Sequence, residues 1–316
     1  MIDISVIIPT YNRLWALPQA VDSCSSAGCA VEVIVVDDGS TDGTWDWLQT
    51  RKDVVSIRTD NWGKDWAVVS GMAAAQGAYV RFLDSDDWLK PQANLEQLMQ
   101  ARETDADVVV AGYDDFFETS GELKPHPWVD CDDFIAQQLG EVPFSHYSAF
   151  LFRRAFIRDI PHRQEFALRD DRMFLLEVAM RKPRLAVYRQ PAFVHRHHKR
   201  GRLQQSDGFR RTLTDWTHIE VYRKSVAMLA AQDDLTMRRK RAAVVQIWPV
   251  VRGLAKTQLD EASAAAAWIF ELDPDFVPPV RRSLAVAYRV LGFKATEQLV
   301  QIREIFRRQP ADELRR

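Results

Sequence analysis

Three polar clusters in this sequence each follow a short apolar run, and each carries side chains suited to a charged ligand. In Phe82-Leu83-Asp84-Ser85-Asp86-Asp87, three carboxylates fall within four residues. Like charges this close repel unless a cation neutralises them. The hard cations Mg²⁺ and Mn²⁺ prefer such oxygen ligands, together with the oxygens of a diphosphate. In Val35-Val36-Asp37-Asp38-Gly39-Ser40-Thr41-Asp42, a carboxylate at the end of the run can accept hydrogen bonds from a nucleobase edge or a ribose. Gly39 there permits a turn with positive φ. In Pro9-Thr10-Tyr11-Asn12-Arg13, the ring of Tyr11 could cover a base. Each cluster alone also reads as a plain turn into a helix, capped by Ser85 or Asp87, by Ser40 or Thr41, and by Asn12.

The elements that must position these clusters follow from the apolar patterning. Residues 5–8, 31–36, 54–57, 79–83 and 108–111 are near-continuous, largely β-branched runs. Such runs predict strands buried on both faces, as in a parallel sheet. Helical periodicity falls between them, at 14–25, 44–50, 65–75 and 92–102. This alternation predicts an α/β fold with right-handed crossovers, whose chemistry sits at the carboxyl ends of the strands. The three clusters occupy three such ends, and their convergence on one rim says more than any one of them. The pattern loosens over 119–147. Further strands are expected at 148–152 and 185–189, and a helix at 171–181. Long helices follow at 209–231, 236–257, 259–272 and 280–306. The expected division is an α/β domain over 1–207 and a helical C-terminal region over 208–316.

In order and spacing, Ser5-Val6-Ile7-Ile8-Pro9-Thr10-Tyr11-Asn12, the stretch 33–42, Asn61-Trp62-Gly63 and the stretch 77–87 resemble the family 2 glycosyltransferases. The resemblance is specific over residues 3–90, weaker over 91–205, and does not reach the C-terminal helices. It implies the GT-A fold: a Rossmann-like, mostly parallel sheet flanked by helices. It also implies inverting transfer of a sugar from a nucleotide diphosphate donor, most often UDP, to a saccharide or lipid-linked acceptor, with Mn²⁺ or Mg²⁺ as cofactor. By that resemblance Pro9, Thr10, Tyr11 and Asn12 line the nucleoside pocket. Asp38 contacts the base, with Asp37 as the alternative. Asn61, Gly63, Lys64 and Ser85 lie along the donor, Asp84 faces the ribose or diphosphate, and Asp86 holds the metal. The chain departs from the family at Asp65-Trp66-Ala67, where an Ala-Arg-Asn run is usual.

Two later segments gain meaning from the same resemblance. Arg169-Asp170-Asp171-Arg172-Met173-Phe174-Leu175 is similar to the family's acidic pair at a helix start, with Asp in place of Glu. A carboxylate within hydrogen-bond reach of the acceptor hydroxyl can take its proton during attack. Asp171 is assigned that role, with Asp170 second and able to orient the acceptor. An acidic first turn that complements the helix dipole is the plainer reading. In His195-Arg196-His197-His198-Lys199-Arg200-Gly201-Arg202, the Arg196-x-His198 spacing fits a family feature whose His completes the metal shell; His197 is the alternative. A flexible basic loop here would close over donor; a solvated basic segment is the plainer reading.

Composition narrows the field. The chain is 47% hydrophobic and 27% charged with net charge -2, which argues against a disordered or nucleic-acid-binding protein. Cys24, Cys29 and Cys131 are odd in number and form no CxxC pair. They argue against a disulfide framework and a structural zinc site and fit a reducing compartment. The first apolar run is too short for a signal peptide core or a span, so the expected location is the cytoplasm. Over 281–316 basic residues outnumber acidic ones on an amphipathic pattern. That helix could rest on an anionic membrane, though packing on the catalytic domain or in a homo-oligomer is the commoner explanation. A nucleotidyltransferase would need a Gly-rich basic loop after the first strand, where this chain has Pro9-Thr10-Tyr11-Asn12. A dinucleotide oxidoreductase would need GxGxxG, which is absent from the sequence. The alternative from another class is a non-catalytic nucleotide-sugar-binding subunit of a polysaccharide assembly complex.

Overall fold

The first apolar runs form adjacent parallel strands, as expected of β-branched sequences that helices cover on both sides. In chain order the elements are β1 (Ile4–Thr10), α1 (Leu17–Ser23), β2 (Val31–Asp37), α2 (Thr44–Thr50), β3 (Val54–Arg58), α3 (Lys64–Ala74), β4 (Tyr79–Phe82), β5 (Trp88–Leu89), α4 (Ala93–Glu103), β6 (Val108–Phe117), β7 (Glu122–His126), α5 (Phe134–Gln138), β8 (Leu151–Arg153), α6 (Arg154–Ile157), α7 (Asp170–Met180), β9 (Leu185–His197), α8 (Phe209–Ala231), α9 (Met237–Leu254), α10 (Leu259–Leu272) and α11 (Arg282–Arg308). This computed structural model describes residues 1–200 and 209–308. The chain divides into two units, Met1–Phe134 with Val142–Gly201, and Ile135–Glu141 with Arg202–Arg316. The expected boundary at 207, like Gly201 and Arg202 of the basic segment, lies outside the described residues.

In the first unit the strand order is β3-β2-β1-β4-β8-β6-β9-β5, with β7 paired to β6. Strands β3, β2, β1 and β4 are mutually parallel. Strand β8 is antiparallel to both β4 and β6, and β6 and β9 are again parallel, so the sheet is mixed. Ile4, Val6, Ile7 and Ile8 of β1 are wholly buried, as are Ile34, Val35 and Val36 of β2. Each such side chain contributes about 1.5–3 kcal/mol relative to an exposed one. Strand order and burial together set the ends of β1, β2 and β4 side by side.

The second half of the sheet departs from the sequence expectation in three ways. Strands β6 and β9 run on to Phe117 and His197, past the expected ends at 111 and 189. Their extensions carry Asp, Arg and His and pair through the main chain, which apolar periodicity does not register. The hairpin β6–β7 fills a region expected to be loose; β7 is largely exposed and contains Pro125, as edge strands allow. Gly112 makes that hairpin fit, because a Cβ there would lie 2.4 Å from the carbonyl oxygen of His126. The strand expected at 148–152 starts later, behind a 3₁₀ turn at Tyr147–Ala149. The basic stretch after Val194 is therefore ordered strand as far as His197, and not a loop.

Arg81 of β4 is wholly buried. Its Nε donates to Asn94 Oδ1 at 3.0 Å, and its terminal nitrogens donate to the Ser148 carbonyl at 3.0 Å and to Gln97 Oε1. Burial lowers its pKa to about 10, since no carboxylate offsets the lost hydration. This guanidinium joins β4, α4 and the 147–149 turn.

In the second unit, Trp248 of α9 is 1% exposed and meets the rings of Phe270, Phe276, Tyr288 and Phe293 edge-on. Thr236 caps α9 by accepting from the Arg239 amide at 3.3 Å. Helix α11 breaks at Gly292 (φ 78°) and leaves Val286, Val290 and Leu299 exposed. Among the described residues no helix is long and apolar enough to cross a membrane.

Candidate active site

The loops after β1 and β2 lock onto each other. The Asn12 amide, held at φ 52°, donates to Ser40 Oγ at 2.8 Å, and Asn12 Oδ1 accepts from the Thr41 amide at 2.7 Å. Asp38 then organises the loop after β3. One of its oxygens accepts from Thr59 Oγ1 and the Trp62 amide, the other from the Gly63 amide, all at 2.8 Å. Gly39 (φ 79°) allows this approach, since a Cβ would stand 3.1 Å from the Asn61 nitrogen. Asp37 differs. Its Oδ1 accepts from the Ser40 amide at 3.1 Å, whereas its buried Oδ2 has no hydrogen-bond partner and lies 3.9 Å from Arg58 Nε. Thr10 Oγ1 is likewise buried without a partner, and Tyr11 is exposed. Buried polar atoms are seldom left unsatisfied, so these two oxygens could take a ligand's polar edge.

The carboxylates after β4 separate in role. Asp84 Oδ1 accepts from Lys64 Nζ, at the start of α3, at 2.5 Å. Burial opposes the Asp84 charge, but Lys64, with His146 and His195 nearby, holds its carboxyl at about 2. Burial also opposes the charge of Lys64, and Asp84, Tyr147 and Asp171 overcome it and keep the ammonium well above its ordinary range. Asp86 Oδ2 lies 2.9 Å from His198 Nε2 and 3.7 Å from Arg13 Nε. The His198 side chain is 0% exposed, packs edge-on to Trp15, and has a buried Nδ1 without a hydrogen-bond partner. Asp87 Oδ1 accepts from the Arg196 amide at 2.8 Å and so pins the end of β9 to this loop. The Arg196 guanidinium lies over Trp88 at 4.8 Å and donates to the Asp86 carbonyl. Ser85 is buried between the two acids. His197 points elsewhere, to Asp115.

Helix α7 contributes the acidic pair. Asp170 is taken up within the protein, with His162 Nδ1 at 2.5 Å on one oxygen and the Arg163 amide at 2.5 Å on the other. Asp171 is half-buried and accepts only from the adjacent Arg172 amide, at 2.8 Å, among the bonds resolved here. Lys64 and His146 each interact electrostatically with both Asp84 and Asp171, which places α7 beside the β4 loop. Burial lowers the pKa of His146 against the pull of those two carboxylates.

Three residues here were not singled out by sequence. Burial raises the Asp65 carboxyl to about 7, reinforced by Asp170 and Asp171 and opposed by Lys64. Arg13 and His146 face the β4 carboxylates. For Asp65 the signal was present, an acid where the family resemblance led to expect a different run. For His146 the sequence offered none.

A mixed sheet of this order, with acidic loops on adjacent parallel strand ends, defines an α/β class with a polar rim at the strand ends. Residues 5–161 match the profile of Glycosyl transferase family 2, and the chain belongs to that family. It is 31% identical over 142 residues to glycosyltransferase GlyG of Streptococcus pneumoniae, covering 43% of this chain and 46% of GlyG. The match thus spans about half the length of that relative. Among solved structures, S. aureus TarS 1-349 in complex with UDP-GlcNAc superposes with a TM-score of 0.67 at 18% identity, over 95% of this chain and 92% of that one. The mannosyltransferase PcManGT of Pyrobaculum calidifontis, in complex with GDP-Man and Mn²⁺, gives 0.52 at 18% identity over 97% and 88%. The fold is GT-A with a helical C-terminal region.

Proposed function

We propose that this chain transfers a sugar from a nucleotide diphosphate donor, with UDP as the carrier, to a saccharide or lipid-linked hydroxyl, with inversion and with help from Mn²⁺ or Mg²⁺. The observation that carries the reading is the Asp86–His198 contact at 2.9 Å, two residues beyond the Lys64–Asp84 pair on the strand-end rim. TarS and PcManGT supply precedent for UDP- and GDP-linked donors on this fold.

Asp86 and His198 fit a divalent ion: one hard oxygen and, facing it, the Nε2 of one imidazole. When bound, the ion would neutralise charge on the diphosphate. The remaining work belongs to the chain. Asp37 Oδ2 accepts from the base edge, because the oxygens of Asp38 are already engaged in holding the 59–63 loop. Pro9, Thr10, Tyr11 and Asn12 wall the nucleoside, and Asn61 and Gly63 border it. Lys64 and Arg13 set positive charge against the phosphates, which stabilises the leaving group as its charge grows. Asp171 takes the proton from the acceptor oxygen as the new glycosidic bond forms and the bond to the nucleotide diphosphate breaks. Asp170 fixes the start of α7 and so positions Asp171.

The free cysteines Cys24, Cys29 and Cys131 suit work in the cytoplasm. The exposed Val286, Val290 and Leu299 of α11 suit contact with an anionic membrane surface carrying a lipid-linked acceptor; failure to co-sediment with anionic vesicles would remove that part. The central test is a screen of nucleotide sugars with Mn²⁺ for thermal stabilisation and donor turnover, with NMR of the anomeric product. Binding without turnover of any donor would favour a non-catalytic nucleotide-sugar-binding subunit. Turnover with retained configuration would overturn inversion.

A further inference from the structure

Strand β9 alternates its side chains between two environments, as any strand must. Arg196 turns to the β4 loop and Trp88, with His198 following on that side. His195 and His197 turn to the other side and meet Asp115, which the parallel pairing of β6 sets directly opposite His195. The donor reading above uses His198 and leaves the contacts of His195 and His197 with Asp115 unexplained.

On that side several imidazoles converge on one carboxylate. His195 Nδ1 is 3.0 Å and His197 Nε2 is 2.7 Å from Asp115 Oδ1. His126 Nε2, from β7, is 2.8 Å from Asp115 Oδ2. The ligand atoms of Asp115, His195 and His197 all lie within 4.8 Å of one another. Ligand atoms around a tetrahedral zinc ion stand about 3.3 Å apart, so small side-chain movements would bring these three onto one ion. The His126 contact is the informative one. Its Nε2 is buried and close to the carboxylate yet makes no hydrogen bond with it, so the nitrogen is not aimed at the oxygen.

The rings are also held from behind. His197 stacks on Phe117 at 4.6 Å and 14°, and His126 on Tyr113 at 4.9 Å and 13°. Fixed ring planes are what a metal site needs from its surroundings. The His195 and His197 side chains are 26% and 28% exposed, which leaves an entry path for an ion. Cysteine content could not reveal such a site, because no thiolate takes part.

We infer that Asp115, His195 and His197, with His126 beside them, form a second divalent metal site of zinc-type preference, on the opposite side of β9 from the Asp86–His198 pair. Two imidazoles and one carboxylate suit zinc or its first-row neighbours better than Mg²⁺. An ion there would clamp the β6–β7 hairpin to β9.

The test uses the full chain, stripped with a chelator and titrated with Zn²⁺ alone, followed by calorimetry and metal analysis. The wild type is expected to bind zinc at this site and to keep it in Asp86→Asn. His197→Gln and Asp115→Asn are each expected to weaken binding at least tenfold, and circular dichroism checks that both remain folded. Zinc-edge anomalous diffraction on the wild type should place the ion about 2.0–2.1 Å from His195 and His197 nitrogens, a readout independent of the variants. No zinc binding, or binding lost in Asp86→Asn and unchanged in His197→Gln, would show that Asp115 is only a hydrogen-bond acceptor for imidazoles. Neither outcome bears on whether the chain transfers sugar.

Discussion

Lys64 Nζ and Asp84 Oδ1 stand 2.5 Å apart, joining the first residue of α3 to the loop after β4. The pair brings a cation to the rim where carboxylates gather, and it orders the two segments that border the donor. Lys64→Met would leave Asp84 without its partner. We expect the variant to lose about 1–2 kcal/mol of stability, because the pair is half-buried and solvent screens part of the stranded charge. Urea unfolding measures it; an unchanged midpoint would mean the pair contributes little to the fold.

Asp86→Ala should reduce metal-dependent donor turnover about a hundredfold or more. The same change should cost about 1–3 kcal/mol of unfolding free energy and leave the protein folded, because it strands the buried His198 Nε2 while the ion pair with Arg13 is long. Steady-state kinetics with Mn²⁺ and a thermal melt separate the two effects. Full activity in this variant would remove the proposed donor metal.

The acidic pair of α7 should divide cleanly. Asp171→Asn is expected to slow transfer by about 10²–10⁴-fold while nucleotide affinity stays level. Asp170→Asn disturbs the contacts with His162 and the Arg163 amide, and should cost about 1–3 kcal/mol of stability. Equal losses of transfer and stability in both variants would contradict this division.

Asp37 and Asp38 should divide in a similar way. Asp37→Asn can keep the bond from the Ser40 amide but no longer offers a carboxylate to the base, so UDP should bind about tenfold more weakly, or about 1.4 kcal/mol. Asp38→Ala strands the Trp62 and Gly63 amides and should lower stability by about 1–3 kcal/mol or more. Calorimetry with UDP and a melting curve decide it.

Asp65 gives the fold a pH dependence. Its carboxyl is raised to about 7, first by burial and then by Asp170 and Asp171. Between the unfolded value near 4 and about 7, the folded protein therefore holds a proton that the unfolded chain has released. Asp65 thus costs stability as pH rises through that window, and the loss levels off above it. Asp65→Asn should be more stable than wild type at pH 8, by on the order of 2–4 kcal/mol, with the difference vanishing near pH 4. Identical pH–stability curves would refute the shift.

Much of the first half of the sheet was readable because its strands are continuous apolar runs ending in polar clusters. Residues 31–36 and 79–83 announce β2 and β4 almost to the residue. The far half was not, because β9 continues through Arg189, Gln190 and Pro191 into histidines held by main-chain pairing with β6. Strand β7 hides because it is exposed and buries no apolar face. At the site, the sequence reading put Asp38 at the base with Asp37 as the alternative, but neighbours in a strand-end turn differ by which donors the next loop offers them, and that is not written in the sequence. The proton affinity of Asp65 could not be read from sequence, because it arises first from burial in the fold and then from Asp170 and Asp171, over a hundred positions away.

The pairing of β6 with β9 slips twice, between Ala111 and Gly112 and between Gly112 and Asp114. Those irregularities decide which histidines look inward and which outward. Moving β9 by a single position would swap the two sets, pointing His197 in place of His198 toward Asp86 and turning Arg196 away from it. The allocation of nitrogen ligands between two neighbouring chemistries is thus decided by main-chain irregularities upstream of them. A one-residue insertion or deletion between Gly112 and Asp114 would carry Asp115 off its histidines without touching a single ligand, while β5 and Asp87 keep Arg196 in place.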